Sequence, residues 1–350
     1  MPHGTGAIAT PQATLRFPSE PDLKAIVASR YGSADVLRLE DVQVPAPSAG
    51  EVLVRVHAAG LNALDWRLMR GEPFAVRFFY GLMRPKFPTP GRDVAGVVEA
   101  VGTDVTRFRV GDAVYGVCQG AFAEFACADE RLLAAKPAEV PFEQAAACGV
   151  AGITALHALH DAGQLQAGQS VLVNGAMGGV GMFAVQIAKA HGAHVTGVCS
   201  TRNVETVRAM GADRVIDYTQ ADFTRGEARY DLIVDTIGNH AAADCARVLT
   251  PEGTCVIVGV SGSFGKFLKR TLQAQLQGRR GRQRFVSLVS EETAKDIEVL
   301  HGMLAAGQLR PVIDRRYPLE QAADAVRYVE GGHARGKVVI VMPCSPPETA

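Results

Sequence analysis

The central third of this chain alternates between short apolar strands and helices, and that order restricts the possible folds more than any other feature. A strand at 169–174 leads through the glycine-rich loop Val173-Asn-Gly-Ala-Met-Gly-Gly-Val-Gly181 into a helix at 179–191. Further strands are predicted at 194–198, 214–216, 230–235 and 253–258, with helices at 203–210 and 240–249. Such alternation predicts an α/β fold with a doubly wound parallel sheet, covered by helices on both faces.

The regions on either side of this sheet carry a different pattern. Residues 51–57 alternate between apolar and polar, and glycines separate the short apolar runs at 94–102 and 111–116. Both features are typical of a compact β-rich unit. A helical stretch at 291–306 and a strand at 336–341 close the chain, and this last strand could return to the first unit. The predicted divisions are a tail at 1–21, a β-rich domain at 22–145, the central domain at 146–284, the second part of the β-rich domain at 285–343, and a tail at 344–350.

Composition argues against several classes of protein. Lys plus Arg and Asp plus Glu both number 36, so nucleic acid is not expected to be the main partner. No apolar run approaches the roughly 20 residues that a transmembrane helix needs. The seven cysteines include no C-x-x-C pair, so neither a structural zinc site nor a disulfide framework is predicted. The first 21 residues lack the pattern of a secretory signal and are interpreted as a loose tail, with a weakly supported transit peptide as the alternative. A cytoplasmic location is expected.

The glycine-rich loop lies between a predicted strand and a predicted helix, as a dinucleotide-binding loop should. Gly178 would let the backbone approach a diphosphate, while the free N–H groups at Gly179 and Val180 would hold its charge. The first glycine position of the usual motif holds Ala176, with Gly175 just before it. A plain tight turn between strand and helix is the alternative interpretation.

The end of the second strand of this domain bears on the choice of nucleotide. An NAD site usually has an acidic residue there, but this chain has Ser200, Thr201 and Arg202. The two hydroxyls can donate hydrogen bonds, and the guanidinium can bind a phosphate dianion. NADPH is therefore predicted over NADH, with a merely solvated Arg202 as the alternative.

Several further segments together carry a resemblance to a known family. They are 58–66 (AAGLNALDW), 90–98 (PGRDVAGVV), 110–116 (VGDAVYG), 151–155 (AGITA), the glycine-rich loop, 211–218 (GADRVIDY) and 336–340 (GKVVI). In this order they resemble the zinc-independent quinone oxidoreductase branch of the medium-chain dehydrogenase/reductase superfamily, which includes zeta-crystallin-like and reticulon-interacting reductases. The resemblance implies a GroES-like catalytic domain, split around an inserted Rossmann domain. It also implies hydride transfer from NADPH and a homodimer formed through the edge of the Rossmann sheet.

The zinc-dependent members of that superfamily have metal ligands that this chain lacks. Asn62 stands where they have Cys, and Gly91-Arg92-Asp93 where they have Gly-His-Glu. Arginine cannot ligate zinc, and Cys148 alone cannot replace about three protein ligands. The cysteine-rich lobe that holds their structural zinc is also missing, so no metal is expected.

Without a metal, the easiest reaction is hydride delivery to an electron-poor small molecule such as a quinone, enone or alkenal. The negative charge then develops on an oxygen that hydrogen bonds can stabilise. One alternative is an enoyl-thioester (enoyl-CoA or carrier-bound) reductase. Another is a non-catalytic NADPH-binding or RNA-binding protein of the crystallin-like type.

Candidate site residues follow from these motifs and, for many of them, from what the resemblance implies. Asn62 and Asp65 are the predicted catalytic residues, although Asn62 could bond only to backbone and Asp65 only to Arg67 or Arg92. The predicted substrate-pocket residues are Trp66, Phe79, Tyr80 and Arg92, with core packing open for Trp66 and an interior polar network with Asp93 open for Arg92. The predicted cofactor-binding residues are Thr154, Gly175, Met177, Gly178, Gly179, Val180, Ser200, Thr201, Arg202, Tyr218, Ile237, Gly238, Gly259, Val260, Ser261 and Lys337. Lys337 could equally be a surface charge.

Two further segments have unusual composition. The aromatic-rich stretch 72–88 is predicted to be a mobile wall or lid of the substrate pocket, or else a surface loop tucked on the core. The stretch 266–284 is basic and contains no acidic residue. It could touch an anionic substrate tail, a membrane surface or RNA, although a solvated basic face is the simpler interpretation.

Overall fold

The alternation of strands and helices in the central third produces a six-stranded parallel sheet. The protein is described from a computed structural model, which covers residues 23–258 and 282–343. The six strands are β8 (Ser170–Asn174), β9 (His194–Cys199), β10 (Arg214–Asp217), β11 (Tyr230–Asp235), β12 (Leu249–Ile257) and β13 (Arg284–Ser287). Their spatial order is β10-β9-β8-β11-β12-β13, with every neighbouring pair parallel. This is the strand order of a Rossmann fold. From β8 the chain adds β9 and β10 on one side of the sheet, and it then crosses to the other side of β8 to add β11, β12 and β13.

Among the described residues, three α-helices connect these strands, at positions close to those that the sequence predicts. They are α5 (Gly179–Ala190), α6 (Val204–Ala209) and α7 (Ala242–Val248). Most of α5 is buried, which fits its largely apolar sequence. Strand β13 crosses the predicted boundary at 284/285, so the Rossmann sheet extends to Ser287. Strand β13 begins at the last residue of the basic stretch, and the hydrophobic pattern of the sequence did not predict a strand there.

A second, largely antiparallel sheet is built from both ends of the chain. Its strands are β3 (Glu51–Leu61), β4 (Asp93–Val101), β5 (Ala113–Val117), β6 (Phe125–Asp129), β7 (Leu133–Ala135), β14 (Ile313–Pro318) and β15 (Lys337–Val341). The order is β14-β15-β3-β4-β5-β7, and β6 pairs with β3. Strand β15 does return to the first unit, where it pairs antiparallel with β3. The predicted fold class, a Rossmann sheet with a GroES-like domain split around it, is confirmed.

The remaining elements cover these sheets. They are the antiparallel pair β1 (Leu23–Val27) and β2 (Arg38–Val42), with α1 (Ala63–Arg70), α2 (Arg77–Tyr80), α3 (Phe142–Ala146), α4 (Gly149–His157), α8 (Ala294–Ala305) and α9 (Ala322–Glu330). Leu300 of α8 packs on Gly152 of α4, and both lie in one core with α5. This shared core joins the two domains.

Some predictions fall on residues that the structure does not describe. Both predicted tails lie there, as do Gly259, Val260 and Ser261 and nearly all of the basic stretch 266–284. Within the described ranges, no helix is long and apolar enough to cross a membrane.

Candidate active site

A buried polar cluster lies where three strands of the catalytic sheet come together. Asn62 follows β3 and precedes α1, Asp93 opens β4, and Lys337 opens β15. The Lys337 ammonium donates to Asp93 Oδ2 at 2.9 Å and to Asn62 Oδ1 at 2.5 Å. Asn62 Nδ2 donates to Asp93 Oδ2 at 2.9 Å. The surface-charge interpretation of Lys337 is therefore wrong, because the side chain is only 2% exposed.

Asp93 has no exposed surface, and the surrounding backbone both bonds to its carboxylate and leaves room for it. The backbone N–H of Val150 donates to its second oxygen at 2.7 Å. A Cβ at Gly60 or Gly149 would lie within 2.8 Å or 2.5 Å of its carboxylate oxygens, so both neighbours must be glycine. A buried ion pair needs such hydrogen bonds to offset the loss of hydration. Asp93 does lie in an interior polar network, but Arg92, which the sequence placed in the same network, bonds to Gln119 and Glu292 instead, and Lys337 was not foreseen.

Asp65 occupies the third position of α1 and adjoins this cluster. Its Oδ2 accepts the N–H of Asn62 at 2.7 Å, while its Oδ1 is buried with no hydrogen-bond partner among the described residues. Burial raises the pKa of this carboxyl to about 7, because the charged form loses hydration. The neighbouring Asp93 carboxylate also raises this pKa, and the N–H bond from Asn62 opposes the rise. Asp65 is thus able to hold a proton near neutral pH.

A small cavity of about 30 Å³ lies against Asp65, which is enough space for a water molecule. Its lining includes Tyr31, Asp65, Tyr80, Phe87, Arg92 and Gln119. The aromatic-rich stretch therefore forms one wall of it. Tyr80 and Arg92, two predicted pocket residues, line this cavity, while Trp66 and Phe79 do not.

The two aromatic residues outside the cavity have other surroundings. Trp66 packs on the core of the catalytic domain, with the Arg67 guanidinium 5.0 Å from its ring centre. Phe79 is 80% exposed. Composition did not distinguish these positions from Tyr80, because α2 is a single helical turn with no clear periodicity.

Arg92 connects the cavity to the segment that precedes α8. One terminal nitrogen donates to Gln119 Oε1 at 3.2 Å and the other to Glu292 Oε2 at 3.0 Å. The side chains of Arg92 and Glu292, which form an ion pair, are both largely buried. Gln119 and Glu292 were not predicted: Gln119 lies just outside the 110–116 segment, and Glu292 is 200 residues from Arg92 along the chain.

The side chains present do not fit a catalytic zinc ion. The Lys337 ammonium lies between the oxygens of Asn62 and Asp93, where it would repel a cation. The Cys148 thiol is buried, its Sγ lies 3.3 Å from the Gln144 carbonyl, and burial raises its pKa. Zinc binds thiolates, so a thiol held neutral is a poor ligand. No three potential ligands converge in the described ranges.

The glycine-rich loop fits a nucleotide diphosphate. Gly175 has φ +87°, and a Cβ at Gly181 would lie 2.0 Å from the Gly175 carbonyl oxygen, so α5 approaches β8 closely only with glycine there. Over Gly178, an added Cβ would meet only the Gly175 carbonyl, at 3.2 Å, and the space above is otherwise open. The first N–H groups of α5, at Gly179 and Val180, have no partner within the helix. Met177 is buried, so its backbone and not its side chain is available to a ligand.

The loop and the polar cluster are neighbours. A Cβ on Gly179 would lie 3.5 Å from Lys337 Cδ. The hydroxyl of Thr154 in α4 donates to the Val150 carbonyl at 2.6 Å, and the N–H of Val150 donates to Asp93. A nucleotide held by the loop would therefore reach the cluster through the start of α5.

The ends of β8 and β11 form the crevice beside the loop. Asn174 Nδ2 donates to Asp235 Oδ1 at 2.9 Å, and the same oxygen accepts the N–H groups of Ile237 and Gly238. The Thr236 hydroxyl donates to the Asn174 carbonyl at 2.8 Å. Ile237 is partly exposed, and Gly238 has φ +75°. Asn174, Asp235 and Thr236 were missed, although polar residues that end buried strands were a usable signal.

At the far end of the crevice lie the residues predicted to choose the nucleotide. Thr201 and Arg202 are exposed and Ser200 is partly buried. The Thr201 hydroxyl donates to Asp217 Oδ2 at 2.6 Å, and this bond contributes most to lowering the pKa of Asp217. Tyr218 is 63% exposed. The second strand lacks a carboxylate, as the sequence indicates, but the third strand brings Asp217 to the same place.

Comparisons of this chain with family models, related proteins and solved structures agree with one another. A family model described as the alcohol dehydrogenase GroES-like domain matches residues 48–138, and one described as a zinc-binding dehydrogenase matches 210–340. A quinone oxidoreductase of Rattus norvegicus is 33% identical over 91% of this chain and 98% of its own length. A 2-methylene-furan-3-one reductase of Solanum lycopersicum is 34% identical over 95% of this chain and 82% of its own. The solved structure of a quinone oxidoreductase from Coxiella burnetii has a TM-score of 0.80 and 30% identity, covering 92% of this chain and all of that one.

Proposed function

From the premise that this chain belongs to the quinone oxidoreductase family of medium-chain dehydrogenases/reductases, and is an oxidoreductase, we propose that it reduces quinones and α,β-unsaturated carbonyl compounds with NADPH. A pyridine nucleotide is the cofactor of this family. The single observation that supports the proposal best is the contact between the glycine-rich loop and the polar cluster, through Gly179 and Lys337. It brings the start of α5, which would bind the diphosphate, next to a buried positive charge.

The residues of the cluster would act on the acceptor's oxygen. When bound, reduced nicotinamide supplies a hydride to an electron-poor carbon of the acceptor. The Lys337 ammonium, fixed by Asp93 and Asn62, would stabilise the negative charge that develops on that oxygen. Asn62 would hold the ammonium in position, since its Oδ1 accepts from Lys337 while its Nδ2 donates to Asp93.

Asp65 would supply the proton that completes the reduction. Its pKa of about 7 leaves a substantial neutral fraction at physiological pH. The cavity against Asp65 is large enough for a water that passes the proton on. Asp65 therefore differs from Asp93, whose carboxylate is held by the Lys337 ammonium.

A nucleotide-oxidation assay tests this proposal. We expect NADPH to be consumed with a panel of quinones, enones and alkenals. Turnover restricted to enoyl-CoA would indicate the thioester reductase instead. Tight NADPH binding without turnover of any acceptor would indicate a non-catalytic binding protein.

The preference for NADPH would depend on Arg202. A guanidinium–phosphate hydrogen bond contributes roughly 1.5–3 kcal/mol, so Arg202→Glu should weaken NADPH binding by roughly tenfold or more. NADH binding, measured by fluorescence titration, should change little. An unchanged ratio of the two affinities would remove Arg202 from this role.

We also propose that the enzyme is a homodimer in the cytoplasm. Strand β13 is the last strand of the six-stranded sheet, and its outer side pairs with no described strand. Such an edge can continue the sheet into a second copy. Light scattering of the purified protein and cell fractionation are the direct tests.

A further inference from the structure

The aromatic-rich stretch forms an apolar surface, which we define as the 74–87 patch. Half of the large apolar side chains that are exposed within the described ranges lie in it. They are Phe74 (59% exposed), Phe78 (70%), Phe79 (80%), Leu82 (51%), Met83 (86%) and Phe87 (41%). Contiguous exposed apolar surface of this kind marks an interaction site.

The backbone beneath the 74–87 patch is held in place. The Tyr31 hydroxyl donates to the carbonyls of Tyr80 and Gly81, at 3.0 and 2.5 Å, and the N–H of Lys86 donates to Tyr80 at 2.6 Å. The Arg77 guanidinium lies 4.4 Å from the centre of the Tyr31 ring and bonds to the Gly71 carbonyl. The aromatic side chains are therefore presented by an anchored segment.

Positive charge accompanies this apolar surface. Between residues 73 and 91, after the exposed Glu72, the chain has three basic residues and no acidic one. Arg84 and Lys86 are exposed, and neither forms an ion pair with another described residue. Exposed aromatic side chains interspersed with Lys and Arg suit the boundary between the headgroups and acyl chains of an anionic bilayer.

The charge also argues against a second copy as the occupant. A symmetric dimer through this face would bring Arg84 and Lys86 of both copies together, and like charges repel. An anionic lipid surface offers the opposite charge at the same place.

The 74–87 patch and the cavity share side chains. Tyr80, Pro85 and Phe87 line the cavity beside Asp65 and Arg92. We propose that the 74–87 patch docks the protein on an anionic phospholipid surface, so that an apolar acceptor dissolved in the bilayer enters beside this wall. The entry of the acceptor rests on the proposed function, while the docking does not.

Flotation with vesicles tests the docking. Full-length protein is mixed with vesicles of phosphatidylcholine alone, or of phosphatidylcholine with phosphatidylglycerol. We expect it to float with the anionic vesicles, less with the neutral ones, and less as salt rises. Combining Phe78→Ser with Met83→Ser should lower the floating fraction roughly tenfold, as should Arg84→Glu with Lys86→Glu.

A matched control uses Val110→Ser with Val289→Ser, two side chains that are 62% and 85% exposed outside the patch. This control should float like the unchanged protein. The docking is refuted if unchanged protein stays unbound, or if the control loses as much binding as the Phe78 and Met83 variant. It is also refuted if gel filtration shows that the patch variant only breaks a dimer.

Activity separates the two proposals. With a water-soluble quinone, the Phe78 and Met83 variant should keep the unchanged rate. With a long-chain quinone in anionic vesicles, it should lose most of its rate. If no quinone is reduced by any form, the proposed function fails, while flotation still decides the docking.

Discussion

Replacing Lys337 with methionine should destabilise the protein by about 3–5 kcal/mol, the usual effect of leaving one partner of a buried ion pair alone. Lys337 is 2% exposed and Asp93 has no exposed surface, so water cannot replace the ammonium that lies 2.9 Å from the carboxylate. Methionine fills much of the same space, which limits the packing loss. Urea unfolding followed by circular dichroism measures the change.

A second variant separates charge from packing. Lys337→Met combined with Asp93→Asn removes both charges and keeps an acceptor for the Val150 N–H. This double variant should be more stable than the Lys337→Met single variant, because no buried charge is left unpaired.

A matched control comes from an exposed pair. Lys189 contacts Asp213 at 2.6 Å, and each side chain is more than 40% exposed. Lys189→Met should change stability by no more than about 1 kcal/mol. Equal losses for Lys337→Met and Lys189→Met, or a double variant no more stable than the single one, would refute the reasoning about burial.

Three further outcomes are expected. Gly181→Ala would bring a Cβ to within 2.0 Å of the Gly175 carbonyl. Thermal unfolding should therefore show a loss of stability of at least about 1–3 kcal/mol, and titration should show a weaker affinity for the nucleotide. Unchanged stability and affinity would contradict the close approach of α5 to β8. For Asp65, whose pKa is raised to about 7, the folded protein holds the proton more tightly than the unfolded chain does. The free energy of unfolding, measured by urea titration relative to the Asp65→Asn variant, should therefore fall by about 1.4 kcal/mol per pH unit between about pH 5 and pH 7. If the two proteins showed parallel profiles of stability against pH, that would argue against a raised pKa. Asp217→Asn should favour NADPH over NADH a few-fold in fluorescence titrations, since an exposed carboxylate repels a phosphate by about 0.5–1 kcal/mol; a shift towards NADH would mean that Asp217 lies elsewhere than beside the ribose.

The sequence predicted the Rossmann sheet well because its signals are local. The strand at 230–235 was predicted with the observed bounds of β11, and the helix at 179–191 differs from α5 by one residue. The need for glycine at 181 and the lengths of the apolar runs are both set by residues that lie close together in the chain. Fold class follows from such patterns even without knowledge of the partners in space.

The polar cluster could not be predicted in the same way. Lys337 is separated from Asn62 by 275 residues and from Asp93 by 244. Nothing near Lys337 distinguishes a buried ammonium from a surface one, except that the strand after it is apolar at every position. Asp217 was missed for a related reason, because the expectation concerned the second strand while the third supplies the carboxylate.

The place of β15 in its sheet has a consequence for how the protein is made. This strand lies between β14 and β3, and its first residue completes the cluster that begins at Asn62. During translation the nucleotide domain emerges whole and can fold early. The cluster is complete only once Lys337, which follows the whole nucleotide domain in the chain, has been synthesised, so a product cut short after that domain would retain the dinucleotide fold without the lysine that we propose acts in the reduction.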